Sequence, residues 1–221
     1  PREDGRRRFP GGTPGAYGMN GTLQRNLLAI STTDPELAGR ISKTARDPCV
    51  HRETARSGDP IPLLRGPSGD LALHSRVDPI REAERLAAAY PAGGFIVFLG
   101  LGAGYGIRPF LDRPTTGGVL VVEYSLGLLR AILEEFDLAP VLSDRRVRLL
   151  ADPDEPTLER AIFEAYIPIL TGDLAAVPLR ARVDSDPGNF SEAVDAVRRV
   201  ISECGRRCGH DRACAAAAVR Q

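Results

Sequence analysis

Four glycines alternate along residues 100–106, directly after the apolar run Phe95 to Leu99 in the segment GFIVFLGLGAGYG. Glycine at the end of a buried strand lets the backbone turn tightly. It also lets a ligand approach the N-terminus of the next helix, whose free N–H groups and partial positive charge suit phosphate or carboxylate. A second apolar run, GVLVVEY, carries Glu123 at its end, where a carboxylate can accept hydrogen bonds from the vicinal diol of a ribose. Gly100, Gly102, Gly104, Tyr105 and Glu123 are therefore the first candidate contacts to a nucleotide-like ligand. The dinucleotide fingerprint G-x-G-x-x-G/A fails in both registers, because its third small residue falls on Tyr105 or on Ile107. Two structural alternatives stand beside this reading. The glycines can simply make a tight strand-to-helix turn, and Glu123 can complement the helix that begins at Ser125.

A second set lies upstream in HSRVDP. His74, Ser75 and Arg76 fall at a strand end just ahead of a helix, a position that can face the same crevice at the carboxyl edge of the sheet. The planar guanidinium of Arg76 could there clamp a phosphate or carboxylate. The alternative is that Arg76 pairs with a surface acid and His74 is a structural histidine. Other clusters carry less. Cys204, Cys208, His210 and Cys214 supply zinc-type ligands, but at a spacing tighter than paired-ligand sites use, so no metal is expected. Asp152, Asp154 and Glu155 read as the acidic start of a helix. Arg6, Arg7 and Arg8 read as solvated charge. With three histidines lacking motif context, no nucleophile, base and orienter can be assembled.

The elements that must position these residues follow from periodicity. Leu23, Leu27 and Ile30, then Leu37 and Ile41, suit two short helices, with Asp34-Pro35 starting the second. After a polar stretch with Cys49, His51 and Gly58, the runs IPLLR and DLALHS flank GPSG as a β-hairpin or meander. Asp78-Pro79 opens a helix over about 79–89. FIVFL and GVLVVEY are wholly apolar, as central parallel strands covered on both faces are, and RVRLL makes a third. Residues 104–112 suit a short helix, Ser125 caps another, and helices at about 155–166 and 190–203 flank an extended VPLRARV. The expectation is an α/β fold: a Rossmann-like, doubly wound parallel sheet preceded by short helices and a small β-hairpin.

A chain of 221 residues is long enough for one sizeable core. Lys plus Arg and Asp plus Glu both number 29, so no global field draws in nucleic acid or an anionic membrane. No apolar run approaches the ~20 residues that span a bilayer, and four cysteines, Cys49 alone and Cys204, Cys208 and Cys214 crowded together, make no disulfide framework; a cytoplasmic protein is expected. Residues 1–18, rich in Gly, Pro and Arg, read as a disordered leader ahead of Met19. Residues 19–77 then form the helices and hairpin, residues 78–203 the Rossmann-like domain, and residues 204–221 an irregular tail, truncated or out of frame.

Gly100, Gly102 and Gly104 followed by Glu123 resemble the first two motifs of class I S-adenosylmethionine methyltransferases, although no Asn-Pro-Pro-Tyr loop follows. A longer resemblance runs over about residues 20–200. It comprises LQRNLLAISTTDPELAGRI, His74-Ser75 with Arg76, Asp78-Pro79, Glu82-Ala83, Gly100-Leu101-Gly102 with Gly104-Tyr105, Glu123, and LSDRRVRLL. In order and spacing these resemble the N-terminal domain of the motility accessory factor (Maf) family of flagellin glycosyltransferases. Members of that family usually continue into a domain resembling 6-hydroxymethylpterin diphosphokinase, where transfer is thought to take place. The resemblance implies attachment of a nonulosonic acid from a CMP-activated donor to flagellin. Flagellin or the missing transferase domain would be the partner, and this domain would not catalyse alone. Three readings thus remain open, each with its own ligand: CMP or a CMP-sugar, S-adenosylmethionine, or no small molecule for a scaffold.

Overall fold

Side-chain caps set four of the helix starts. Asp34 Oδ1 accepts from the Leu37 amide at 2.8 Å, Asp78 Oδ1 from Arg81 at 2.8 Å, Ser125 Oγ from Leu128 at 3.2 Å and Asp154 Oδ1 from Thr157 at 3.0 Å. The computed structural model describes residues 21–67, 69–91 and 94–207, so the leader read at 1–18 and the tail from 208 lie outside the described residues. Helices α1 (Gly21–Ser31) and α2 (Pro35–Lys43) come first. They are followed by strands β1 (Val50–Thr54), β2 (Pro60–Gly66) and β3 (Gly69–Ala72) and by helix α3 (Pro79–Ala88). Next are β4 (Gly94–Leu99), α4 (Arg108–Leu111), β5 (Gly118–Glu123), α5 (Leu126–Glu135), α6 (Ala139–Leu142) and β6 (Val147–Ala151). The last are α7 (Glu155–Ala165), α8 (Pro168–Thr171), β7 (Asp173–Pro178), α9 (Arg180–Ser185) and α10 (Pro187–Arg207).

The described residues form a parallel sheet in the order β6-β5-β4-β7 and a smaller antiparallel sheet in the order β1-β2-β3. The fold is α/β and Rossmann-like. Every residue of β4 and β5 is buried, because these central strands are covered on both faces. Side chains alternate between two cores as the pleat requires. Ile96, Phe98, Val119 and Val121 pack with Leu129, Ile132 and the N-terminal helices; Phe95, Val97, Leu120 and Val122 pack with Ile162, Phe190 and Val197.

The segment read as 19–77 shares its core with the sheet, and two polar clamps fix it there. Buried Asn26 donates from Nδ2 to the Leu133 and Phe136 carbonyls at 2.8 and 2.7 Å, and its Oδ1 accepts from the Leu138 amide at 2.9 Å. It thereby satisfies groups that the end of α5 would leave orphaned. Arg130 Nη1 donates to the Ile41 and Ser42 carbonyls at 3.1 and 2.7 Å, tying the end of α2 to α5.

Several expectations are corrected. The hairpin has a third strand, β1, hidden in the polar segment VHRET. VPLRARV is extended only to Pro178; the strand begins at Asp173, and Arg180 already starts α9. The helix expected over 104–112 is confined to Arg108–Leu111, since the glycine turn occupies its start. Helix α10 runs through Cys204 to Arg207, where an irregular tail was expected. Among the described residues no helix is long and apolar enough to cross a membrane.

Asn26→Ala would strand three buried backbone groups. We expect a loss of about 3 kcal/mol of unfolding free energy in urea titration; a loss below about 0.5 kcal/mol would show that the clamp is not formed.

Candidate functional site

Taken in sequence order, the four parallel strands are arranged 3-2-1-4, so the connections diverge between β4 and β7, the place where open α/β sheets hold their ligands. The chain leaves β4 through three left-handed glycines, Gly100, Gly102 and Gly104, at φ +96°, +53° and +73°. Only glycine takes such a path without strain. The close approach it allows is used by the chain itself. A Cβ on Gly100 would lie 2.8 Å from Arg182 Cγ and 3.2 Å from Leu179 Cβ. One on Gly102 would meet the His74 ring and lie 2.8 Å from Leu179 Cδ2.

Glu123 is fully buried at the end of β5. Its Oε2 accepts from the Leu101 amide at 3.3 Å and its Oε1 from the Tyr124 amide at 3.0 Å. Arg182, reaching back from α9, donates to Oε1 from Nε at 2.8 Å and approaches it with Nη2 at 2.7 Å. The same guanidinium is 3.4 Å from Asp186 Oδ2, donates to Ser185 Oγ at 3.1 Å and lies over the Phe190 ring at 4.9 Å. Burial pushes the Glu123 carboxyl up from its ordinary value, while the charge and hydrogen bonds of Arg182 and the two amides pull it down. The carboxylate expected to read a ribose diol is thus committed to an internal arginine. As they stand, Glu123 and the covered glycines do not fit a ribose.

His74 is the upstream residue that reaches the loop. Its Nε2 accepts from the Ala103 amide at 2.9 Å, which places the ring proton on Nδ1, and its ring meets Tyr105 edge-on at 5.3 Å. Burial lowers its pKa to about 4. The structure does not bring Ser75 and Arg76 to the glycines. Ser75 Oγ accepts from the Val77 and Asp78 amides at 3.2 and 3.3 Å, shaping the turn into α3. Arg76 sits at the small sheet, 3.4 Å from Glu53 Oε1 and donating to the Asp70 carbonyl at 3.4 Å. Tyr105 donates to the Pro60 carbonyl at 2.9 Å and, with Arg52 and Arg108, lines a different groove of about 350 Å³. The residues that sequence reasoning missed are Leu179 and Arg182. Their signal was the end of a strand at Pro178, which the switch-point order would have placed over the first loop.

Beside the glycine turn, toward α3, lies a cavity of about 120 Å³ lined by His74, Glu82, Phe98, Leu101, Leu179 and Arg180 among others. Among the described residues no group of three His, Cys, Asp or Glu side chains is placed to hold a metal; Cys208, His210 and Cys214 lie outside them.

No protein-family profile matches this chain, and no curated protein matches it. Among solved structures, it superposes on a Maf glycosyltransferase from Magnetospirillum magneticum AMB-1 with a TM-score of 0.53 and 19% identity, over 81% of this chain and 35% of that one. The fold is similar to part of that glycosyltransferase. The present chain therefore spans about a third of its length. A spermidine synthase from Thermotoga maritima (TM-score 0.37, 12% identity, 62% of this chain and 56% of that one) shares less of the architecture. So does EvdMO1 (TM-score 0.30, 23% identity, 45% and 21%). At these identities the likeness is one of fold.

The histidine gives a pH test. Below pH 6.5 the unfolded chain takes up a proton at His74 that the folded chain refuses until about pH 4. Stability from this residue is complete above 6.5 and is lost as pH falls, by roughly 3 kcal/mol across that window. The difference between wild type and His74→Gln, followed by urea denaturation from pH 7 to 4, should show this slope. Parallel profiles would contradict the burial and bonding of His74.

Proposed function

We propose that this chain is the Rossmann-like domain of a Maf-type flagellin glycosyltransferase. It supports transfer of a nonulosonic acid of pseudaminic or legionaminic type from a CMP-activated donor to serine or threonine hydroxyls of flagellin. In that reaction the glycosidic carbon bonds to the hydroxyl oxygen as CMP leaves, and the hydroxyl proton passes to a base in an adjoining transferase domain. What supports the family reading is the fold shared with the Magnetospirillum glycosyltransferase over 81% of this chain, together with the ordered motifs from His74 to Glu123.

The supporting rather than catalytic role rests on one observation: Arg182 holds the buried Glu123 at 2.7 Å. A methyltransferase of the S-adenosylmethionine type needs that carboxylate for the ribose hydroxyls. Releasing it would break the 2.7 Å pair and leave the buried arginine only its longer contact to Asp186 at 3.4 Å, at a cost of up to about 3–5 kcal/mol.

Calorimetric titration of the full chain with flagellin monomer, CMP and S-adenosylmethionine tests this. The expected result is association with flagellin and no heat from either small molecule. Micromolar binding of S-adenosylmethionine, lost in Glu123→Gln, would make the chain a methyltransferase. Micromolar CMP binding lost in the same variant would move the donor site into this domain. Silence from flagellin would remove the support for the glycosylation reading.

A further inference from the structure

Strand β6 is the outermost strand of the parallel sheet on one side, and among the described residues no strand pairs with its outer edge. Its bonds to β5 are fixed at both ends. The Arg146 carbonyl accepts from the Val119 amide at 2.8 Å, and the Asp152 amide donates to the Glu123 carbonyl at 2.7 Å. Alternate residues of a strand turn their backbone groups to the same side, so Arg148 and Leu150 address β5 while Val147, Leu149 and Ala151 address the outer edge. The Val147 amide is already taken by the Asp144 carbonyl at 2.9 Å. What remains is the N–H and C=O of Leu149 and of Ala151, an outward row that can template another strand.

A groove of about 460 Å³ lies along this edge, lined by Thr33 from the α1–α2 turn, Ala161 from α7, and Arg145, Arg148, Leu149 and Leu150 among others. Leu149 packs against the core that holds α5 and Leu150 against the core that holds α7, yet both are only half-buried. An added strand would cover them.

The charges along the segment decide which strand fits. DRRVRLLADPDEP carries Arg145, Arg146 and Arg148 ahead of its two leucines and Asp152, Asp154 and Glu155 behind them. A second copy of the segment laid antiparallel, with the two-fold axis at Leu150, sets Arg148 of each copy directly opposite Asp152 of the other. Both residues are exposed, and among the described residues neither has an ion-pair partner. Arg146 then meets Asp154, and Arg145 meets Glu155. In the same register Leu149 lies opposite Ala151 as a hydrogen-bonded pair, so the two symmetric pairs consume every outward group just named, and Leu150 packs on its own copy across the axis. A parallel alignment would lay arginine on arginine.

We propose that β6 pairs antiparallel with β6 of a second copy of this chain, joining the two four-stranded sheets into one continuous sheet across a two-fold axis. Such an interface is isologous and closes at the dimer. It lies at the edge of the sheet away from the glycine turn and does not depend on the glycosylation reading.

Sedimentation equilibrium of the full chain tests it. The expected result is a reversible dimer of twice 23.8 kDa, with a Kd on the order of 10 µM that weakens as salt screens the charge pairs. Arg148→Asp, at an exposed position, sets like charges opposite each other and should weaken self-association at least about tenfold. Asp152→Lys should do the same, and mixing the two variants should restore a dimer, because each then meets an opposite charge. Amide exchange supplies a reading on the unaltered chain: the Leu149 and Ala151 amides should be protected at concentrations well above the Kd and exchange freely below it. A monomer at all concentrations to about 200 µM would overturn the proposal. So would a dimer unchanged in Arg148→Asp, or one in which the exchange of those two amides does not depend on concentration.

Discussion

A buried carboxylate cannot stay charged without partners, and Glu123 has four donor contacts converging on it from three parts of the chain. One comes from the glycine turn after β4, one from the exit of β5, and two from Arg182 on α9. Removing water from both charges costs several kcal/mol per ion, which the pair offsets only while this geometry holds. The turn, the strand end and α9 are therefore fixed relative to one another by a single electrostatic constraint. Phe190 beneath the guanidinium and Asp186 beside it extend the constraint into the start of α10.

This arrangement changes what the glycines are for. In an open α/β sheet the space at the switch point ordinarily admits a ligand to the first turn. Here His74, Leu179 and Arg182 approach Gly100 and Gly102 so closely that a Cβ would collide with each. The left-handed backbone serves internal packing, and the remaining space is displaced toward α3. There His74 is held by the Ala103 amide. The space at this sheet edge is thus set by how the loop is filled rather than by the loop's sequence pattern.

Much of the fold was legible. β4 and β5 were plain from unbroken β-branched and aromatic runs, because burial on both faces leaves no polar interruption. The caps at Asp34, Asp78 and Ser125 were legible because a short polar side chain before a proline or an apolar stripe has one common use, whereas Asp154 was read only as part of an acidic helix start. β7 was misplaced because DLAAVP pairs with β4 through its backbone while its alanines give little strand signal. β1 was missed because an outer strand with one solvated face carries His51, Arg52 and Glu53. At the site, Glu123 was found from its place at a strand end, but its partner was not. A charge pair spanning Glu123 to Arg182 is fixed by topology, which local pattern does not encode. Arg76 illustrates the converse: its neighbours in sequence were suggestive, yet the turn at Ser75 directs it to Glu53.

The most direct test of this account is a double-mutant cycle on Glu123→Gln and Arg182→Met, with stability measured by urea denaturation. If the two side chains form the buried pair, each single variant takes from the other its shortest charged contact, and the double variant should be less destabilised than the sum of the two by at least about 2 kcal/mol. Additivity within about 0.5 kcal/mol would contradict the pair, and with it the closure of the glycine turn by the chain's own arginine.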